Sequence, residues 1–318
     1  MRRIARWAAF IALALLLLAV PLTGQRFLIY LAIQVLILSL FSTGFNLLFG
    51  YTGLLSFGHA GFYAAGAYAT GILLMRTSLS LLPGVMAGAL FAGALGLAIG
   101  FFCVRRTRIY FSMLTLAAGM MIYALAFDWK SVTGGDDGLI GIPRSPLWLP
   151  GLGFVQMNAL GSYYYFALAA AGGGIWLIHR VVHSPFGLIL QGIRENENRA
   201  SFAGVAVRRY RLAAFVISCF ISGLAGALVA PLENTVAPTA AHWTKSAQPV
   251  LATLLGGIHT FSGPMAGALA FYVIQEVIEQ VTEYWLLWFG VVLLVLVLGF
   301  RGGLMGYLQE QAWRRRIR

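Results

Sequence analysis

Charge is what this chain has least of. Only 10% of its 318 residues are Asp, Glu, Lys or Arg, against 60% hydrophobic, and mean hydropathy is +0.83. A soluble domain cannot hide that much apolar surface, because nearly all of it would have to be core. Lysine is almost missing: Lys130 and Lys245 are the two, and neither follows a G-x-x-x-x-G-K-[ST] loop, which excludes a P-loop nucleotide site in this chain. Cysteine is equally scarce. Cys103 and Cys219 both fall inside apolar runs and are expected as packed small residues without a disulfide framework. H-E-x-x-H and C-x-x-C spacings are absent, so no metal site is expected. Asp136-Asp137 sits in a Gly-rich loop rather than within facing helices, so no catalytic group and no cofactor are expected either.

Long uncharged runs are what is present. They lie near 7–23, 28–49, 57–75, 81–103, 109–127, 162–182, 212–231 and 284–300. They are continuous rather than alternating, which disfavours a β-barrel and predicts an all-α polytopic membrane protein. The net charge of +12 would suggest nucleic acid in a soluble protein. Here the basic residues flank spans, as cytoplasmic loops do, so lipid and no nucleic acid is the expected environment. The basic-then-apolar start predicts an uncleaved first helix.

Parity fixes the count. Arg2, Arg3 and Arg6, and Arg301, Arg314, Arg315, Arg316 and Arg318, place both ends in the cytoplasm. An even number of crossings follows, so the region 249–282, interrupted by GGIHTFSGP, should cross twice, near 248–258 and 264–282. The expectation is about ten transmembrane helices, some short or Gly/Pro-broken. They would form one transmembrane domain over 1–318, with 17 of the 22 Lys and Arg inside. An outer loop covers about 128–161 and an inner loop about 183–211, the latter predicted as short surface helices opened by Pro185. Small residues recur at four-residue spacing, as in Ala89/Gly93, Gly96/Gly100, Gly223/Ala227 and Gly263/Gly267. These permit close helix approach, either within the bundle or against another subunit. No acid lies in mid-span, which argues against ion-coupled carriage and fits transport energised from another subunit.

Between Gly44 and Tyr68 the chain reads GFNLLFGYTGLLSFGHAGFYAAGAY. Gly50, Gly53 and Gly58 loosen an apolar segment, and membranes tolerate this only where protein or a water-filled path covers the freed backbone. Asn46, Thr52, Ser56 and His59 either satisfy that backbone or line a solute path or inner gate.

The segments GYTGLLSFGHAGFYAAGAY (50–68), LTLAAGMMIYALAFDWKSVTGGDDGLIGIP (114–143), the 184–228 stretch containing QGIRENENRASFAGV, LLGGIHTFSGPMAGAL (254–269) and GFRGGLMGY (299–307) resemble the LivM-type permease of branched-chain amino acid ABC importers. The resemblance covers nearly the whole chain from residue 28. It implies a bacterial inner-membrane permease that is not itself an enzyme. Its implied partners are a LivH-like permease subunit, two cytoplasmic ABC ATPases and a periplasmic solute-binding protein. It also implies a cytoplasmic coupling helix within Ile193–Gly204, with Arg194, Glu195, Glu197 and Gly204 at family-like positions. Two departures stand out. Glu197-Asn198-Arg199-Ala200 replaces Glu-Ala-Ala, and Met120 stands near where relatives carry an acid. Urea, amides or aromatic acids are therefore alternative solutes to a branched-chain amino acid. A passive channel for a small neutral solute is the alternative from another class.

Overall fold

The computed structural model describes residues 16–106, 108–149, 153–299 and 302–307. Most of the first expected span and the terminal arginines that fixed the parity, Arg2 to Arg6 and Arg301 to Arg318, lie outside the described residues.

Among the described residues, eleven α-helices longer than four residues carry the architecture: α1 (Arg26–Thr52), α2 (His59–Arg76), α3 (Leu81–Cys103), α4 (Arg108–Asp128), α5 (Leu160–Val182), α6 (Pro185–Glu195), α7 (Glu197–Phe202), α8 (Val207–Glu233), α9 (Trp243–Gly256), α10 (Gly263–Glu279) and α11 (Trp285–Gly299). Of these, α1, α3, α4, α5 and α8 are long and apolar enough to cross a membrane. The chain is a multi-pass, all-α membrane protein. The runs predicted from 28 onward each fall on one of these helices, and α3 has the predicted bounds. One start differs: α9 begins at Trp243 rather than near 248 and carries Pro249 within it. Pro249 lacks the N–H that would bond the Lys245 carbonyl, so the apolar run alone understated the helix.

The two ends of the bundle differ. At one end, α6 and α7 lie across the ends of α1, α5 and α8. At the other, residues 129–149 and 153–159 form a cap. There β1 (Leu139–Ile140) pairs antiparallel with β4 (Thr235–Val236), and β2 (Leu147–Leu149) with β3 (Gly153–Val155). Arg144 fastens this cap. It donates to the Pro231 and Leu232 carbonyls at 2.9 Å each, placing a cation on the unsatisfied C-terminus of α8.

α8 is the central helix, packed on α3, α2 and α1. The small-residue pairs meet inside this chain. A Cβ on Gly96 would press on Cys219 and one on Gly100 on Phe215, while Gly66 and Gly223 bring α2 and α8 into backbone contact. Gly256 and Gly267 do the same for α9 and α10. Close approach of this kind replaces the hydrophobic driving force that lipid removes. Both cysteines are buried and free. Buried Tyr163 on α5 donates to the Leu228 carbonyl of α8 at 2.5 Å. Tyr163→Phe is expected to cost about 1 kcal/mol, seen as a small fall in the melting temperature of the detergent-solubilised protein.

Two helices start in the middle of the bundle. His59, the first residue of α2, reaches Ser218 of α8, which bonds the Gly44 carbonyl of α1. At about 1.5 Å per residue, Gly44 lies about 12 Å inside the Thr52 end of α1 and Ser218 about 16 Å inside the Val207 end of α8. Residues 53–58 therefore climb back into the bundle before α2 begins. α9 mirrors this from the capped end, where residues 234–242 enter and α9 starts beside α2. The Ala60 amide donates to Ser246 Oγ at 2.9 Å, joining the two helix starts.

Candidate functional site

The junction of those helix starts is built from polar side chains in an apolar cage. Ser56 Oγ lies 2.7 Å from His59 Nδ1, and His59 Nε2 lies 2.8 Å from Ser218 Oγ. The Ser218 hydroxyl donates to the Gly44 carbonyl at 2.6 Å, so its oxygen is left to accept from His59. That places the imidazole proton on Nε2 and leaves Nδ1 to accept from Ser56. The edges and faces of Phe45, Phe62 and Phe215 enclose the ring. Ser56 and His59 are wholly buried.

Asn46 and Thr52 are buried too, but neither joins this chain of bonds. Thr52 Oγ1 donates to the Leu48 carbonyl one turn back. Asn46 lies against Gly50, where any Cβ would strike its Oδ1, and that Oδ1 is buried without a hydrogen-bond partner. Gly58 explains its own glycine: a Cβ there would fall into the Thr115 carbonyl of α4. The four residues singled out in sequence are thus all buried, and two of them are bonded to each other.

At the α6–α7 end the structure rearranges the expected coupling helix. Ile193–Gly204 is not one helix. Asn196 adopts an extended conformation (φ −157°, ψ 103°), ends α6, and caps α7 by accepting the Arg199 amide at 2.9 Å. Gly204 takes the left-handed conformation (φ +84°) after α7, with Val205 N bonded to Ala200 O and Gly204 N to Ser201 O. This is the glycine-terminated helix end in which the last carbonyls are capped.

The charges there face different ways. Glu195 is exposed. Glu197 holds Arg211 of α8 through two parallel bonds, 2.7 and 2.9 Å, and the Arg211 side chain is only 6% exposed against 42% for Glu197. Arg194 turns inward. It donates to the Gly50 carbonyl of α1 and, at 3.3 Å, to His259 Nδ1 in the turn between α9 and α10. It also lines a cavity of about 350 Å³ with Tyr51, His183 and His259. Glu195, Asn196 and Arg199 line a shallow groove between α6 and α7. Phe202, at the tip of α7, is 93% exposed.

Sequence reasoning missed one polar cluster. Glu233 at the end of α8, Lys245 in the first turn of α9 and Tyr63 of α2 line one cavity of about 160 Å³. Gln34 of α1 and Tyr272 of α10 stand beside it, also against Tyr63 and Lys245. Glu233 and Lys245 read as loop residues because they flank a segment with no apolar run. The usable signal was the same as at 44–68: polar residues where a helix breaks.

The sequence matches, over residues 27–299, the family described as branched-chain amino acid transport system / permease component. It is 27% identical over 321 residues to the high-affinity branched-chain amino acid transport system permease protein LivM of Escherichia coli strain K12, covering 95% of this chain and 75% of that one. Salmonella typhimurium LivM gives 27% identity with 94% and 75% coverage. The probable branched-chain amino acid transport permease protein LivM of Methanocaldococcus jannaschii is 28% identical over 287 residues, with 76% and 78% covered. No solved structure matches.

Proposed function

We propose, from the premise that the chain belongs to the family of branched-chain amino acid transport system permease components, that it moves a branched-chain amino acid or a related small polar solute into the cytoplasm by alternating access, driven by ATP hydrolysis in partner subunits. Residues 1–318 act as one transmembrane domain in a bacterial inner membrane, with both termini cytoplasmic. A LivH-like permease completes the path, two cytoplasmic ATPases bind the 183–211 loop, and a periplasmic binding protein delivers solute to the 128–161 loop.

The observation that carries this is mechanical. α6 and α7 are tied to transmembrane helices on both sides, to α1 through Arg194 and to α8 through the Glu197–Arg211 pair. A push on this module therefore moves the helices that meet at His59. Glu195, Arg199 and Phe202 remain outward, free to meet an ATPase. An apolar side chain left almost wholly in water at a helix tip suits a partner pocket. Phe202→Ser is expected to leave the permease folded and to lower ATPase co-purification about tenfold, the effect of losing one buried aromatic anchor. The function itself is tested by uptake of labelled leucine in a strain lacking the gene and its partners, with each restored in turn. Uptake that persists without the ATPases identifies a passive channel and sinks the proposal. Uptake of urea or an amide in place of leucine assigns the other solutes of the family.

A further inference from the structure

The cavity between α2, α8 and α9 is lined by two opposite charges that form no ion pair. Glu233 and Lys245 both line it, yet among the described residues the only ion pair is Arg211–Glu197, so these two stand apart across the space. Each is fixed from behind. Gln34 donates to Glu233 Oε1 at 3.2 Å and is itself held by the Tyr272 hydroxyl at 3.2 Å. The Lys245 ammonium lies 5.6 Å from the centre of the Tyr63 ring, in the first turn of α9, where the helix dipole adds positive potential. Ala67, Val229 and Val236 supply apolar wall. Lys245 is half-buried beside this wall, so its charge calls for a counterion, while Glu233 is exposed.

We propose that this cavity binds the head group of a zwitterionic α-amino acid. Lys245 receives the carboxylate, Glu233 the ammonium, and the aliphatic side chain lies against Val229 and Val236. The assignment rests on the importer function proposed above. A neutral solute would leave the half-buried Lys245 without a counterion, and a simple anion would meet Glu233.

The test uses the complete importer, with sister permease, ATPases and binding protein, in proteoliposomes with labelled leucine, alanine and phenylalanine. Glu233→Gln and Lys245→Met are each expected to lower uptake about tenfold or more, the loss of one charge-assisted contact. ATP hydrolysis stimulated by the loaded binding protein should stay within about twofold. The double variant Glu233→Gln/Lys245→Met should be at least as impaired as either single one. Recovery of uptake in the double variant means that the two charges serve only each other and overturns the proposal, as does normal uptake in both single variants. Should the neutral variants fail to assemble, Glu233→Asp and Lys245→Arg decide: a raised KM for leucine supports the site, and an unchanged KM overturns it. A wild-type importer that carries urea but none of the three amino acids defeats this inference and leaves the importer standing. Uptake without ATP defeats the importer instead.

Discussion

His59→Phe assembles poorly, and the subunits that do assemble transport normally: that is the expected result. The ring could be replaced sterically, because its neighbours are Phe45, Phe62 and Phe215. The hydrogen bonds cannot. Ser56 loses its acceptor and Ser218 loses the donor to its oxygen, both fully buried. An unsatisfied buried group costs about 1–3 kcal/mol, and interhelical bonds in membranes sit near the low end because the unfolded reference also finds partners. A loss of about 2 kcal/mol lowers the ratio of folded to unfolded protein by a factor of about 30. The assembled fraction is measured by size-exclusion of a fluorescent fusion, and leucine uptake is expressed per assembled complex. Full assembly with abolished uptake would move His59 from scaffold to solute path.

Glu197→Arg abolishes coupled uptake, and the exchange Glu197→Arg/Arg211→Glu restores part of it. Removing one partner of a buried ion pair costs about 3–5 kcal/mol. Glu197 is 42% exposed, so water screens part of that and about 2–3 kcal/mol is the expected penalty. Two guanidinium groups would then face each other, with Arg211 unable to leave the α8 surface. α7 should detach from α8, so that ATP hydrolysis continues without moving solute. The ratio of leucine imported to ATP hydrolysed reads this directly. A single variant with a wild-type ratio would remove α7 from the coupling route.

These two residues also mark how far the sequence carried. The spans were legible because each apolar run is a local property, and α3 needed nothing else. His59 was visible as a polar residue in an apolar break, but its main partner, Ser218, is 159 positions away. No local pattern reveals that pairing. Gly204 was legible because a helix end calls for a left-handed residue. The break at Asn196 was not foreseen: RENENR reads as one charged helix until the Asn196 side chain is seen to cap its own successor. Arg194 is the opposite case. It looked like a surface charge for a partner, and it is half-buried and bonded to the chain's own Gly50 carbonyl. The small-residue pairs could have met a second subunit, and only the bundle shows them packed on the chain's own helices. Glu233 and Lys245 escaped notice because their juxtaposition depends on how the start of α9 packs beside the end of α8.

The hydrogen-bonded line through the junction has a direction. It runs from the Ser56 hydroxyl through the imidazole to the Ser218 hydroxyl and stops at the Gly44 carbonyl. A chain that conducts protons needs every link to receive one and pass one on. A carbonyl only accepts. The line of polar atoms through the junction is therefore a dead end for protons.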